Sequence, residues 1–525
     1  MRPWEAHYPA GLTAQAPPTP ADLTTAWRER VERDPDGLAL LHLGRAVTAA
    51  ELDAQAEAFA ALLASRGIGA GDRVGIVLQN VPTAAVVLLG AWRLGAVVPL
   101  LNPMYHGTEL RTLIKTCGAS ALVVDPDLLG TVRSAAEGTT VEVIWADGDP
   151  ELSSRRDERV DPALQSTDDV ALLTFTSGTT GVPKAAMNTH GNVLTVAACV
   201  RDWMGLTTQD RVLCVAPVFH ITGAVITLMA PLLAGAAVVL IGRASPEGVL
   251  RAFREDGVTT TTGSITVFNG LARLEGVCRD DFPKVRHLYS GGAPVPPSTV
   301  ERFRRELGVY IHNIYGMTET TSACIGVPPG GEAPVHEPTG SLAVGLPFPG
   351  LEVRVVDPEG HPVPAGAPGE LELRGPHVVP GYWEDEQATA ATFPGGALRT
   401  GDGAVLDEQG WVYIVDRLKD QINTSGYKVW PREVEEALLR HPAVHEAAVV
   451  GVPDDYRGEA VTAFVTSVAG AAVTEDELRA HVRAELAAYK VPRRIGFLDE
   501  LPKTPTGKIR RRDLRDGLDE EDSQV

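Results

Sequence analysis

Apolar and polar positions in the first third of the chain alternate between two rhythms. Thr48-Ala-Ala-Glu51 is a capping box, in which a hydroxyl and a carboxylate three residues apart each take a backbone N–H at a helix start. The apolar positions behind it predict a helix to about Ser65. Arg73–Leu78 is an apolar run short enough for a buried strand, Pro82–Leu94 is helix-like, and Ala96–Leu100 and Ala119–Val124 are strand-like again. Strands separated by helices predict parallel sheets with helices on their faces. Residues 146–169 are polar and charged and predict a linker or surface loop, after which the rhythm resumes from 170 to about 325.

The pattern changes after the loop Gly326–Gly340. Leu351-Glu-Val-Arg-Val and Glu370-Leu-Glu-Leu-Arg alternate at period two, and Trp411–Val415 is a further short strand. With no long helix between them, they predict an antiparallel sheet or small barrel. Near residue 417 the rhythm changes again. Pro431 opens a helix over Arg432–Arg440, Ala447–Val452 and Val461–Val468 are strands, and Thr474-Glu-Asp-Glu477 caps a helix running to about Tyr489. This is a compact α+β unit of its own. The expected fold is therefore α/β. A large N-terminal domain over 1–418 holds two parallel-sheet subdomains and a small barrel-like one, and a smaller α+β domain spans 419–525. The acidic end, Asp519–Val525, is expected to be disordered.

Residues 224–242 form a stretch of nineteen without a charge, which raises the question of a membrane span. Pro231 and Gly235 interrupt it, so a buried helix, a turn and a strand at Ala237–Ile241 are expected instead, with no transmembrane segment. Composition agrees with a large core: of 525 residues, 44% are hydrophobic and 22% charged. At roughly 150 residues per domain, the length predicts two to four domains. Forty-seven Lys and Arg against 68 Asp and Glu give a formal net charge of −21, which excludes a general nucleic-acid or anionic-membrane binder. An anionic substrate must then meet locally placed cations. The five cysteines are far apart and form no CxxC, so neither a zinc ribbon nor a disulfide framework is expected. No apolar run follows a basic start in the first twenty residues, so no signal peptide is expected, and a reducing, cytoplasmic location fits.

The most informative segment is Leu173-Thr-Phe-Thr-Ser-Gly-Thr-Thr-Gly-Val-Pro-Lys184. Seven of the eight residues 174–181 are Thr, Ser or Gly. Small residues let backbone N–H groups approach an anion, hydroxyls add donors, and Lys184 adds a positive charge. This is a phosphate loop, and its glycine spacing and Pro183-Lys184 distinguish it from a Walker A loop. Thr259–Ser264 is also rich in hydroxyls. It lacks a nearby lysine and precedes an apolar helix, so a strand and pocket wall are expected there.

Six further segments follow in order: Ser290-Gly-Gly-Ala-Pro294, Tyr315-Gly-Met-Thr-Glu319, Arg399-Thr-Gly-Asp402, Asp416-Arg417-Leu-Lys419-Asp420, Ser425-Gly-Tyr-Lys428 with Pro431-Arg-Glu-Val-Glu435, and Pro505-Thr-Gly-Lys508. With the phosphate loop they resemble the signatures of the acyl-adenylate-forming superfamily, which includes acyl-CoA synthetases, nonribosomal-peptide adenylation domains and beetle luciferases. The stretch from Arg417 to Glu435 looks most like bacterial fatty-acyl-CoA synthetases. The resemblance covers about residues 25 to 515 and implies an enzyme that uses ATP, Mg²⁺ and coenzyme A. Such an enzyme turns a carboxylic acid, fatty or aryl, into an acyl-adenylate with release of pyrophosphate, then passes the acyl group to the thiol.

Residue by residue, the resemblance implies that Thr176, Ser177, Gly178, Thr179, Thr180, Gly181 and Lys184 hold the phosphates. Thr318 contacts the α-phosphate, and Glu319 with Thr176 helps hold Mg²⁺. Gly291, Gly292, Ala293 and Tyr315 form the adenine slot, Asn313 and Gly316 also bind the nucleotide, Asp402 meets the ribose, and Arg417 meets the ribose or phosphate. His220, Gly223, Val267, Gly316 and Met317 wall the acid pocket. Lys508 reaches the substrate carboxylate and α-phosphate, Lys419 is the hinge about which the small domain rotates between half-reactions, and Ser425, Gly426 and Lys428 line the thiol channel in the second pose. Two alternatives stay open: an adenylating ligase that passes its acyl group to a separate carrier protein or an amine, and a binding protein on an inactive fold. The acid itself and the oligomeric state, a homodimer among the options, are not legible in the sequence.

Overall fold

The computed structural model describes residues 2–155, 158–176, 183–293, 295–417, 420–424, 427–454, 457–468, 470–504 and 508–515, with only the backbone at Ser153, Arg417 and Lys428. The acidic terminus from Asp519 lies outside the described residues. Two α/β units dominate. One has a six-stranded sheet ordered Val143–Ala146, Ala121–Val124, Val74–Val77, Val98–Leu100, Val170–Phe175 and Ala185–Thr189. Its first five strands are parallel and the last is antiparallel. The capping box at Thr48 is present, and it opens the helix Ala49–Ser65 as the spacing predicts. That helix packs on the helix Pro82–Arg93, whose Trp92 is fully buried and donates its indole N–H to the Ala171 carbonyl at 2.9 Å.

The second unit has a nine-stranded sheet. Its centre is parallel, running through Ile311–Met317, His287–Ser290, Thr260–Gly263, Arg211–Cys214, Ala237–Leu240 and Leu38–His42, with antiparallel strands at both edges. The hydroxyl-rich Thr260–Gly263 is thus an interior strand. Glu352–Val356, Gly369–Arg374, Leu398–Leu406 and Val412–Arg417 make a separate antiparallel sheet. The last sheet holds Tyr427–Val429, Ile422–Thr424, Gly458–Ser467, Val444–Asp454 and Arg494–Phe497, covered by the helices Pro431–Leu439 and Glu475–Glu485.

The structure adds elements to the sequence expectation, meets it in the uncharged stretch 224–242, and corrects it at the end of one helix. Leu398–Leu406 is a strand even though Thr400, Gly401, Asp402 and Gly403 sit inside it, and its bulges absorb them. The helix expected to reach Tyr489 ends at Glu485, because Leu486 and Val491 turn inward to pack on the C-terminal core. The uncharged stretch 224–242 folds as a buried helix, a turn at Gly235 and the strand Ala237–Leu240. The helix begins as a π-helix over Thr222–Met229. No helix among the described residues is long and apolar enough to cross a membrane.

The two large units are joined at a buried polar point. Asn80, just past the strand Val74–Val77, is 2% exposed. Its amide donates to the carbonyls of Cys214 (2.7 Å) and Ala216 (3.0 Å), and its side-chain oxygen accepts the Val218 N–H at 2.8 Å. Three bonds from one side chain fix the turn that leads into His220. Replacing it leaves two carbonyls and an N–H unsatisfied in the interior. Asn80→Ala is expected to lower unfolding free energy by about 3 kcal/mol, about one per hydrogen bond lost, read as an earlier urea midpoint at unchanged slope.

Candidate functional site

The phosphate loop is the turn of a hairpin. Val170–Phe175 and Ala185–Thr189 pair antiparallel, and the Thr176 N–H donates to the Lys184 carbonyl at 2.9 Å, closing its mouth. Thr176 and Lys184 flank the turn, while Ser177, Gly178, Thr179, Thr180 and Gly181 lie outside the described residues. Lys184 Nζ sits over the ring of Tyr382, 5.0 Å from its centroid. The same ring's hydroxyl donates to Glu319 Oε1 at 2.7 Å. One buried aromatic thus sets a cation on its face and a carboxylate at its tip. Sequence reasoning missed Tyr382: a single tyrosine after a glycine carries no spacing signature, and only its backbone bridge to Ala186 brings it here.

Glu319 is 6% exposed and lies in a single 3₁₀ turn, Thr318–Thr320. The next two residues, Thr321 and Ser322, have φ of 52° and 87°, a costly conformation for residues with a Cβ. Hydrogen bonds hold it. Asn188 donates to the Thr318 carbonyl at 3.2 Å and to Thr321 Oγ1 at 3.1 Å, and Thr321 Oγ1 donates to the His377 carbonyl at 3.1 Å. Before the turn, a Cβ on Gly316 would lie 1.8 Å from the Ser322 carbonyl oxygen, so only glycine fits there. Among the described residues the second Glu319 oxygen makes no hydrogen bond, and no cluster of three or more His, Cys, Asp or Glu could enclose a metal ion. A single carboxylate fits Mg²⁺, which is commonly held by one or two protein carboxylates together with substrate phosphates.

At the end of the strand His287–Ser290, the chain passes through Gly291, Gly292 and Ala293. A Cβ at Gly291 would come within 2.4 Å of the Ile314 carbonyl oxygen, so this backbone packs against its neighbouring strand with no side chain between. That strand, Ile311–Met317, carries Asn313 and Tyr315. Asn313 is buried and donates its amide to the Ala343 carbonyl at 3.2 Å. The Tyr315 hydroxyl donates to Asp402 Oδ2 at 2.7 Å. Burial, and next the Asp402 charge, push the Tyr315 phenol far above its usual range, so it remains a donor. Asp402 pairs in register with Arg417 across the antiparallel sheet. The result is a slot between bare backbone and an aromatic ring, with a carboxylate at its rim.

Lys508 is drawn to this slot from the C-terminal end of the chain. Its Cε would lie 3.8 Å from a Cβ placed on Gly292. The turn that carries it is closed by the Lys508 N–H donating to Thr504 Oγ1 (3.1 Å) and the Thr504 N–H donating to the Lys508 carbonyl (2.7 Å). Its ammonium is also felt by His220. Burial, and behind it the Lys508 charge, lower His220 from the usual 6.5 to about 4, so the ring is neutral at pH 7. His220 Nδ1 accepts the Thr222 N–H at 3.4 Å, which leaves the ring proton on Nε2.

His220 and Gly223 stand at the start of the π-helix. Ser322 Oγ donates to Thr222 Oγ1 at 3.1 Å, tying this helix to the turn after Met317. His220, Gly223, Gly316 and Met317 thus belong to one connected wall. Val267, on the helix Ile265–Ala272, faces Gly263 and packs with a second cluster that includes Leu213 and Phe268. Lys419, Ser425 and Gly426 lie outside the described residues, as do the side chains of Arg417 and Lys428. The described geometry brings Lys184, Tyr382 and Glu319 together on one side, and Tyr315, Asp402, Gly292 and Lys508 on the other.

The chain matches the AMP-binding enzyme family over residues 27–383 and that family's C-terminal domain over residues 433–508. It is 37% identical over 486 residues to a feruloyl-CoA synthase of Amycolatopsis, covering 93% of this chain and 97% of the relative. It is 33% identical over 555 aligned positions to a long-chain-fatty-acid–CoA ligase of Escherichia coli, covering 98% of each. Among solved structures, it resembles the anthranilate CoA ligase AuaEII in complex with anthranoyl-AMP, with a TM-score of 0.89 at 28% identity, covering 96% of this chain and 99% of that one.

The nearness of Lys508 to His220 is open to titration. A positive neighbour disfavours the imidazolium, so Lys508→Met is expected to raise the His220 midpoint from about 4 towards, but short of, its usual 6.5, because burial remains the larger cause. Imidazole NMR in a pH series reads the shift. An unchanged midpoint would mean that the ammonium does not visit this ring in solution.

Proposed function

We propose, on the premise that this chain belongs to the AMP-binding enzyme family, that it is an AMP-forming carboxylic acid–CoA ligase acting on an acid with a hydrophobic, fatty or aryl, body. One observation carries the reading. Lys508, from the far end of the sequence, lies beside Gly292 at the mouth of the glycine slot and close enough to His220 to lower its pKa. A lysine folded against a neutral surface has no need of that position. A site that must bring a carboxylate up to a phosphate does need it, because the two anions repel as they meet.

In the first half-reaction, a carboxylate oxygen attacks the α-phosphorus of ATP, the bond to the bridging oxygen breaks, and pyrophosphate leaves. Lys184 and the hydroxyl-rich turn bind the β- and γ-phosphates. Glu319, oriented by Tyr382, holds the Mg²⁺ that accompanies the nucleotide and neutralises phosphate charge. Asp402 accepts hydrogen bonds from the ribose hydroxyls, Tyr315 covers the base, and the Lys508 ammonium offsets the charge that gathers where carboxylate and α-phosphate join. In the second half-reaction, the coenzyme A sulfur attacks the acyl carbon and the acyl–AMP bond breaks, with the thiol proton leaving to solvent and AMP departing.

The two steps need different neighbours, and this supports a division at 418/419 into a nucleotide-binding domain and a smaller domain that rotates about Lys419. Rotation withdraws Lys508 and presents Ser425, Gly426 and Lys428 to the thiol arm. Small and apolar residues beside His220, such as Gly223 and Ala224, suit a hydrophobic acid. Both a fatty tail and a phenylpropenoid ring fit that chemistry, and the similar proteins include ligases named for each.

Lys508→Ala is expected to slow acid-dependent pyrophosphate release by at least about a hundredfold while sparing thioester formation from supplied acyl-adenylate. Equal loss of both steps would remove the two-pose assignment. Pyrophosphate release measured over saturated fatty acids of graded length and over benzoic and hydroxycinnamic acids, each with and without coenzyme A, identifies the acid class. Pyrophosphate release with thioester absent at every coenzyme A concentration would turn the reading towards a carrier-protein thiol or an amine.

A further inference from the structure

The strand Val412–Arg417 runs up to residue 418, and its Asp416 side chain is 4% exposed. Both carboxylate oxygens are taken by donors that follow residue 419. Oδ1 accepts from Arg511 Nη1 at 2.9 Å, and Oδ2 accepts the backbone N–H of Arg432 at 3.0 Å. The Arg432 guanidinium continues the grip, donating from Nη1 to the Ile414 carbonyl at 3.1 Å and from Nη2 to the Val295 carbonyl at 3.4 Å. Val295 lies just past Gly291 and Gly292, so this side chain reaches from the helix Pro431–Leu439 to the large unit. Trp430 adds an apolar contact: its indole would lie 3.1 Å from a Cβ on Gly403, so it packs closely on that strand.

The partners of Arg511 are unequally divided. Besides Asp416 it donates through Nη2 to Glu435 at 2.8 and 3.0 Å, and it lies 3.6 Å from Asp420. Glu435 and Asp420 sit on its own side of residue 419. If the smaller unit turns about Lys419, Arg511 carries two carboxylates with it. Asp416, on the last strand of the large unit, stays behind and loses these two donors. Loss of hydrogen bonds at a buried carboxylate is unfavourable until water reaches it. Turning therefore costs most where a buried charge is uncovered, beside the neutral contacts of Arg432 with Ile414 and Val295.

We propose that Asp416 is a positioning residue that latches the chain in the pose with Lys508 at the site, through Arg511 and the Arg432 backbone. The inference rests on the two-pose reading above. Arg511 follows Lys508 by three residues, so releasing Asp416 and withdrawing the ammonium are one displacement. The latch touches no substrate. It sets how much of the protein stands ready for adenylation, and its loss moves population towards the thiol-accepting pose.

The test measures the two half-reactions separately in the full chain: pyrophosphate release with acid and ATP, and thioester formation from supplied acyl-adenylate and coenzyme A. Asp416→Asn places an amide where Arg511 expects an anion, and Arg511→Gln removes the guanidinium. Each is expected to slow the first half-reaction about tenfold or more and to leave the second unchanged or faster. The double variant should lose no more than the worse single one. Arg511→Lys, which keeps one cationic donor, should retain more of the first half-reaction than Arg511→Gln. Should Asp416→Asn fail to fold, the two Arg511 variants decide the matter. Equal loss of both half-reactions, or an unimpaired first one, overturns the latch. Failure of the two-pose reading is a separate result, seen as Lys508→Ala impairing both steps.

Discussion

The proposed reaction depends on bringing one ammonium group to a stretch of backbone that has no room for a side chain of its own. Gly291 lies so close to Ile314 that a Cβ would meet its carbonyl oxygen at 2.4 Å, so in that reading the reacting anions are neutralised by a group brought from elsewhere in the chain. Charge matters all the more because the chain carries a formal net charge of −21, which repels phosphates and carboxylates at a distance. Two unit charges 4 Å apart interact by about 4 kcal/mol at an effective dielectric constant near 20, so a cation moved even one side-chain length away loses much of its effect. The parts of the molecule that face each other here are accordingly held on both sides. Asn80 ties the two large sheets together under the His220 turn, and the Lys508 turn is closed by its own hydrogen bonds to Thr504. Lys503, five residues before, pairs with Glu446 at 2.7 Å and fixes the base of that turn.

A second constraint acts on the phosphate side. Glu319 is aimed by a turn whose following residues adopt positive φ without being glycine. Such strain persists only where neighbours over-determine the geometry, and here Asn188, His377 and Tyr382 supply the bonds. Asn188 belongs to the strand that closes the phosphate hairpin. The carboxylate and the phosphate loop are therefore referenced to the same strand, and a shift of one carries the other.

Local chemistry made much of this legible in the sequence. The capping box at Thr48 and the alternating apolar runs each state their structure within a dozen residues. What escaped was set by pairing partners far away. Nothing in the sequence marks Leu398–Leu406 as a strand, because Thr400, Gly401, Asp402 and Gly403 interrupt it, yet its neighbours on both sides supply a ladder that tolerates the bulges. Tyr382 is invisible as a site residue until Lys184 and Glu319 arrive from separate elements. Arg511 belongs to no motif of the sequence, and only the fold shows it turned inward onto Asp416 and Glu435. The C-terminal helix was expected to be longer, because its apolar stripe continues through residues that leave the helix to fill a core.

The π-helix over Thr222–Met229 connects these constraints to the acid. Its first turn is pressed against the preceding turn, since a Cβ on Gly223 would lie 1.9 Å from the Pro217 carbonyl oxygen. Thr227 Oγ1 then donates to the Gly223 carbonyl at 3.1 Å, inside the helix, while lying 3.2 Å from Cys214 Sγ. A widened helical turn is a recurrent feature near functional sites, and here its apolar residues Ala224, Val225 and Ile226 belong to the main core. Its polar edge is not idle: Thr222 accepts from Ser322, the second of the two strained residues after Glu319. The wall that would select the acid and the turn that aims the phosphate-side carboxylate are thus one hydrogen-bonded piece. Changes of volume at Thr222 or Gly223 are then felt at the turn that carries Glu319, so that in the proposed reaction the choice of acid and the handling of the nucleotide share one hydrogen-bonded support.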